Sequence, residues 1–162
     1  MIRQCTDADF AEIVAIINEA AEAYRGVIPA DCWHQPYMSS SSLTTEIAAG
    51  VNFWGWDESA ALAGIMGLQK VREATLIRHA YVRPAHQGRG IGGALLRTLA
   101  GQATGPLLVG TWAAAEWAIH FYQRNGFSLV STAEKDRLLN IYWTIPPRQQ
   151  ETSVVLVHSA RS

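Results

Sequence analysis

The chain has 162 residues, 49% of them hydrophobic and 17% charged, which is enough apolar material for one globular domain with a substantial core. Its formal net charge of -1 removes any global electrostatic reason to expect nucleic acid or a polybasic membrane contact. With two cysteines, no secretory leader and no apolar run approaching a membrane span, a reduced cytoplasmic setting is expected, with Cys5 and Cys32 packed rather than paired.

The patterning predicts alternating strands and helices. "MIRQC" reads as a first strand, followed by Thr6 as an N-cap with Asp9 three residues on. The helix after it sets Phe10, Ile13, Val14, Ile17, Ala21 and Tyr24 on one face and closes at Gly26. Prolines, serines and aromatics from Val27 to Ser42 predict an ordered loop, and a short helix is expected from Leu43 to Ala49. "VNFWGWDESAALAGIMGLQ" reads as a hairpin turning near Asp57 to Ala60, and "EATLIRHAYV" as a longer strand stopped by Pro84. A helix is expected from about Gly90 to Ala103 with Ile91, Ala94, Leu95 and Leu99 inward. Gly105-Pro106 then breaks the chain before a buried strand, "LLVG". Thr111 is expected to cap a helix running to Asn125, with Gly126 as its left-handed C-cap and Phe127 as the accompanying contact. Strands near Phe127 to Ser131 and Thr152 to His158 complete the set, separated by "EKDRLLNIYWTIPPRQQ". The order predicts a mixed α/β architecture. The five histidines, His34, His79, His86, His120 and His158, lack ligand spacing, so no metal site is expected.

The most informative stretch is "HQGRGIGGALL". It satisfies G-x-G-x-x-G at Gly88, Gly90 and Gly93, the fingerprint of a dinucleotide turn. That fingerprint needs an acid about twenty residues on for the ribose hydroxyls, and Leu107 to Ala115 holds none. A Walker loop fails too, because no Lys-Ser/Thr follows. The physics of the loop survives both rejections. Glycines at a helix start let backbone N-H groups approach a phosphate, and the helix dipole adds about 0.3 to 1 kcal/mol toward an anion. No Asp or Glu occurs from Ala74 to Ala115, whereas Arg78, Arg83, Arg89 and Arg97 do.

"AYVRPAHQGRGIGGALL" resembles the cofactor-binding motif of the GCN5-related N-acetyltransferase superfamily, Gln/Arg-x-x-Gly-x-Gly/Ala, at Gln87, Gly90 and Gly92. "EWAIHFYQRNGF" is similar to the superfamily's second motif, matching it at Ala118, Phe121, Tyr122, Gly126 and Phe127. The resemblance implies that superfamily's fold, a central, mostly antiparallel mixed sheet flanked by helices, over residues 1–162. It implies acetyl-CoA as cofactor and acetyl transfer to a primary amine by direct attack in a ternary complex. A non-catalytic acyl-CoA sensor on the same fold is the alternative. On this resemblance the backbone of Gly88, Arg89, Gly90, Ile91, Gly92 and Gly93 holds the pyrophosphate. Ala80, Tyr81 and Val82 pair with the pantetheine arm, and a backbone N-H there polarises the thioester carbonyl. Arg83 and Arg89 are candidates for the outer phosphates, with solvated loop arginines as the alternative.

Tyr122 is the implied acid for the departing thiolate. The base is open. An alkylammonium near pKa 10 costs about 4 kcal/mol to deprotonate at pH 7, and His79, Glu116 or a water chain are the candidates. Many members carry Asn where this chain has Ala115, so one hydrogen bond to the pantetheine arm is expected to be missing. The acceptor, a small-molecule or peptide amine, is expected between "YRGVIPADCWHQPYM" and "EKDRLLNIYWTIPPRQQ", which bring Trp33, Tyr37, Tyr142 and Trp143 with the acids Asp31, Asp136 and Glu151. A homodimer is common among members of this superfamily and is a further expectation.

Overall fold

The computed structural model describes residues 1–158. Seven strands form one sheet in the order β1-β2-β3-β4-β5-β7-β6. They are β1 (Ile2–Gln4), β2 (Val51–Glu58), β3 (Ala61–Val71), β4 (Ala74–Val82), β5 (Leu107–Trp112), β6 (Phe127–Leu129) and β7 (Ser153–His158). Every neighbouring pair is antiparallel except β4 and β5, as the resemblance implies.

Helices cover both faces. On one side, α1 (Phe10–Ala21) and α2 (Ser40–Ala48) bury Ile13, Ile16, Ile17 and Leu43 against Val51, Phe53, Leu62 and Ile65. On the other, α3 (Ile91–Gln102) buries Ile91, Leu95, Leu96 and Leu99 with Met66, Ile77, Val109 and Leu156, and α4 (Glu116–Arg124) adds Tyr122. Because β3 is covered on both sides, its residues Leu62 to Leu68 form an unbroken buried run rather than an alternating one.

Two expectations need correction, and one segment carries more structure than the patterning predicts. The segment between the last two strands holds two helices, α5 (Thr132–Tyr142) and α6 (Pro147–Glu151). Ser131 caps α5 by accepting a bond from the Glu134 N-H at 3.2 Å, and Leu138 and Leu139 pack on Leu76, Leu108 and Val155. Thr111 caps nothing: it lies within β5 opposite Val154, and α4 starts five residues later. The serine run belongs to α2, since Ser39 accepts from the Ser42 N-H at 3.1 Å.

One irregularity positions the site. Gly67 faces Arg78 and Ile65 faces Tyr81, so Met66 alone opposes both His79 and Ala80. His79 takes a φ of 52° to accommodate this bulge, which bends β4. On its other edge β4 pairs with β5 only from Thr75 to Ile77. Beyond that point the two strands run on to Val82 and Trp112 without pairing with each other, and the sheet opens between them.

Candidate functional site

The opening leads to a cleft of about 660 Å³ on the α3–α4 side. Ala80, Tyr81 and Val82 form one wall, the loop through Gln87, Gly88 and Gly90 with Ile91, Gly92 and Gly93 forms the end, and Ala118, Phe121 and Tyr122 of α4 form the other wall. Gly88 and Gly90 have φ of 80° and 79°, the left-handed region that β-carbons resist. The first α-helical bond of α3 runs from the Ala94 N-H to the Gly90 carbonyl at 3.0 Å. The N-H groups of Ile91, Gly92 and Gly93 therefore precede it, at the positive end of the helix. Gly92 answers a packing need: a Cβ there would meet the Phe121 ring at 3.3 Å. Gln87 ties loop to strand by donating from Nε2 to the Val82 carbonyl at 3.2 Å. This end of the cleft suits an anion, and the unpaired edge of β4 suits an extended amide chain.

The arginines are placed differently from expectation. The acid-free character of the segment holds along the chain but not in space. Arg83 is engaged by Glu19 at 2.7 Å, Glu12 at 3.4 Å and the Leu62 carbonyl at 2.9 Å. Arg89 is engaged by both oxygens of Glu58, at 2.6 and 3.0 Å, and by His86 Nδ1 at 2.9 Å. Neither lines the cleft, whereas Arg124 and Asn125, at the C-terminal end of α4, do.

Tyr122 is buried between Phe121 and Phe127, with edge contacts at 5.1 and 5.5 Å. Burial, and secondarily the neighbouring Tyr24, raises its phenol above the usual range, so it keeps its proton at neutral pH. Glu116 is exposed in the first turn of α4 and lines neither cavity. Ala115 is fully buried in a cluster with Tyr24 and Trp112.

A second cavity, of about 120 Å³, lies where the expected acceptor segments meet. His79 lines it together with Tyr37, Thr111, Trp112, Trp143 and Gln149. Tyr24 and Tyr81 line both cavities and join them, their hydroxyls 3.4 Å apart. Trp112 donates from Nε1 to the Tyr37 hydroxyl at 2.7 Å. Burial pushes the Tyr24, Tyr37 and Tyr81 phenols upward, so all three are neutral donors and acceptors. Of the segment's other expected side chains, Trp33 packs beside Tyr37 with ring centroids 5.9 Å apart, and Tyr142 turns away to Glu73. None of the expected acids lines the pocket: Asp31 pairs with Arg148 at 2.8 Å, Glu151 with Arg148 at 3.3 Å and Asp136 with Lys135 at 3.3 Å.

Sequence reasoning missed the carboxylate that matters here. Glu46, on α2, places Oε1 2.5 Å from His79 Nε2 and 2.9 Å from Arg78 Nη2. Burial alone would raise this carboxyl, but the bond from His79 and the nearby charges hold it below the usual range. No motif signals it, because the pairing spans 33 residues.

Residues 49–129, half of the chain, match the family described as "Acetyltransferase (GNAT) domain". The chain belongs to the GNAT acetyltransferase family. It is an acyl-CoA-dependent N-acetyltransferase that uses acetyl-CoA. The chain is similar to the peptidyl-lysine N-acetyltransferase YiaC of Escherichia coli, 27% identical over 138 residues that cover 84% of this chain and 88% of that protein. Its fold superposes on the PaiA N-acetyltransferase of Thermoplasma acidophilum in complex with coenzyme A, with a TM-score of 0.72 at 16% identity over 97% of this chain and 96% of that one. The ribosomal-protein-S18-alanine N-acetyltransferase of Escherichia coli gives 0.64 at 16% identity, covering 97% of this chain and 91% of that one.

Proposed function

We propose that this chain moves the acetyl group directly to a primary amine held in the 120 Å³ pocket, across the junction formed by Tyr24 and Tyr81. The observation that carries the proposal is the sharing of those two residues by both cavities, which puts an acceptor within reach of the cleft without a covalent stop on the protein. Acetyl-CoA supplies an activated acetyl thioester. The backbone from Gly88 to Gly93 holds its pyrophosphate, and the open edge of Ala80, Tyr81 and Val82 holds the pantetheine arm and aims an N-H at the thioester carbonyl.

Tyr122 donates to the leaving sulfur. A phenol at its ordinary pKa of 10 facing a thiol at 8.5 is uphill by about 2 kcal/mol for complete transfer. Burial raises Tyr122 further, so the contribution is a hydrogen bond that strengthens as charge develops on sulfur, rather than a finished proton transfer. On the amine side His79 accepts the proton, supported by its place in the pocket wall. Glu116 lies outside both cavities and has no part in this reading.

The acceptor is an amine carried on a small molecule or on an accessible peptide side chain or terminus, supported by a narrow pocket with aromatic walls. The free thiols Cys5 and Cys32 fit a reducing compartment such as the cytoplasm. The test is thiol release from acetyl-CoA across a panel of free amines, lysine peptides and peptide α-amines. Turnover with at least one class is expected. Saturable acetyl-CoA binding with no release on any member would overturn the proposal in favour of a sensor.

A further inference from the structure

We infer that Glu46 is a positioning residue for the proton acceptor: its carboxylate holds the His79 imidazole with Nε2 protonated, leaving Nδ1 to take the amine's proton. The inference rests on the reading of His79 given above and assigns a function to α2, a helix that carries neither family motif.

Three observations meet at this point. His79 Nε2 and Glu46 Oε1 are 2.5 Å apart, and a carboxylate at that distance selects the tautomer whose hydrogen is on Nε2. Nε2 is thereby occupied, Nδ1 has no hydrogen-bond partner among the described residues, and His79 is one of the residues that line the pocket. The imidazole is also held in plane. Phe53 of β2 and Tyr81 stack on it, with centroids 6.2 and 6.5 Å away and interplanar angles of 23° and 25°. The left-handed φ of 52° at the bulge fixes where the side chain leaves the strand.

The charges facing His79 are consistent with this assignment. Arg78 donates to the same Glu46 oxygen at 2.9 Å and to Gln69 at 2.7 Å, so it helps to anchor the carboxylate. Tyr24 and Tyr37, from the segment after α1, line the same pocket as neutral phenols. Glu46 is thus the single carboxylate bonded to the ring among the described residues.

In the step itself one ammonium N-H bond breaks, and its electron pair stays on the amine nitrogen as the nucleophile. The proton forms a new bond to Nδ1. The resulting imidazolium keeps its Nε2-H on Glu46, whose negative charge offsets the ring's positive charge. The proton leaves to water once the amide has departed.

The test compares Glu46→Gln, Glu46→Asp and His79→Gln in the full chain, with the best alkylamine of the panel and saturating acetyl-CoA. Glu46→Gln is expected to lower kcat about tenfold with the KM for acetyl-CoA unchanged. Glu46→Asp should recover part of the rate, and thermal melts identify any variant that is merely unstable. If His79→Gln costs tenfold or more while Glu46→Gln leaves kcat unchanged, the inference is overturned and the reading of His79 stands. If His79→Gln itself leaves kcat intact, that reading fails and the inference falls with it.

Discussion

The two cavities that meet at Tyr24 and Tyr81 are made of different material. The anion-binding end of the larger one is a glycine loop and the start of α3, flanked by the end of β4 and one face of α4, with Tyr24, Ile65 and Met66 completing the lining. The smaller one is walled by large side chains from separate places, with Tyr37, His79, Trp112 and Trp143 each arriving on a different segment. A wall of backbone amides recognises what every acyl-CoA has in common, and it does so wherever the loop keeps its φ angles. A wall of interlocked aromatic side chains recognises what distinguishes one amine from another. Damage to the first should cost all substrates alike, and damage to the second should redistribute them.

The largest effect is expected at Gly90. Glu in its place would put a β-carbon at a φ of 79° and a carboxylate at the positive end of α3. Coenzyme A at about 100 times its Kd stabilises a folded protein by about 2.7 kcal/mol, visible as a rise in Tm. Gly90→Glu should abolish that rise for every acyl-CoA tested, and a folded variant that retains it would refute the placement of the pyrophosphate. The next effect is at Tyr122. Tyr122→Phe should lower kcat at least about tenfold for all amines while the Kd for coenzyme A stays the same. Since burial raises this phenol, its ionisation should produce no fall in wild-type kcat before the ordinary phenol range is passed. A basic limb near pH 8 that vanishes in Tyr122→Phe would contradict the raised value.

How much of this could be read beforehand follows the same division. The glycine loop, Tyr122 and the strand before the loop are contiguous, and their spacing carries their geometry. What spacing could not carry is the company they keep. Arg83 and Arg89 sit in an acid-free stretch of sequence, yet Glu12, Glu19 and Glu58 reach them from α1 and the β2–β3 hairpin. Glu46 and His79 are joined across two elements in the same way. The helix α5 was legible in principle, since Ser131 followed by Glu134 is a start signal, but Lys135 is buried and breaks its apolar stripe. Thr111 looks like a cap in isolation because the strand it belongs to is decided by pairing with β7.

A smaller and more selective effect is expected at Tyr37. Its hydroxyl accepts from Trp112 Nε1 at 2.7 Å in a largely enclosed place. Tyr37→Phe leaves that donor unmatched at a cost of about 1 to 3 kcal/mol, to be read from urea unfolding. The KM for the acceptor should rise several-fold, with the Kd for coenzyme A unchanged. Equal losses on both substrates would mean that the two walls are not separable.

The smallest effect, and the sharpest on selectivity, concerns the link between the pocket's two outer segments. Arg148 on α6 holds Asp31 through Nε at 2.8 Å and Nη2 at 3.2 Å, tying the turn at Ala30–Cys32 to the helix whose next residue, Gln149, lines the pocket. Both partners are exposed, so the pair contributes little to stability and Arg148→Ala should leave Tm unchanged. Its geometry matters more than its energy. A bidentate clasp between two segments fixes the width of the gap between them, and releasing it should let bulkier amines in. The variant is expected to raise kcat/KM a few-fold for the largest amines that turn over while leaving compact amines and coenzyme A binding unaltered. A uniform change across all amines would show that the pocket's width is set by its aromatic floor alone.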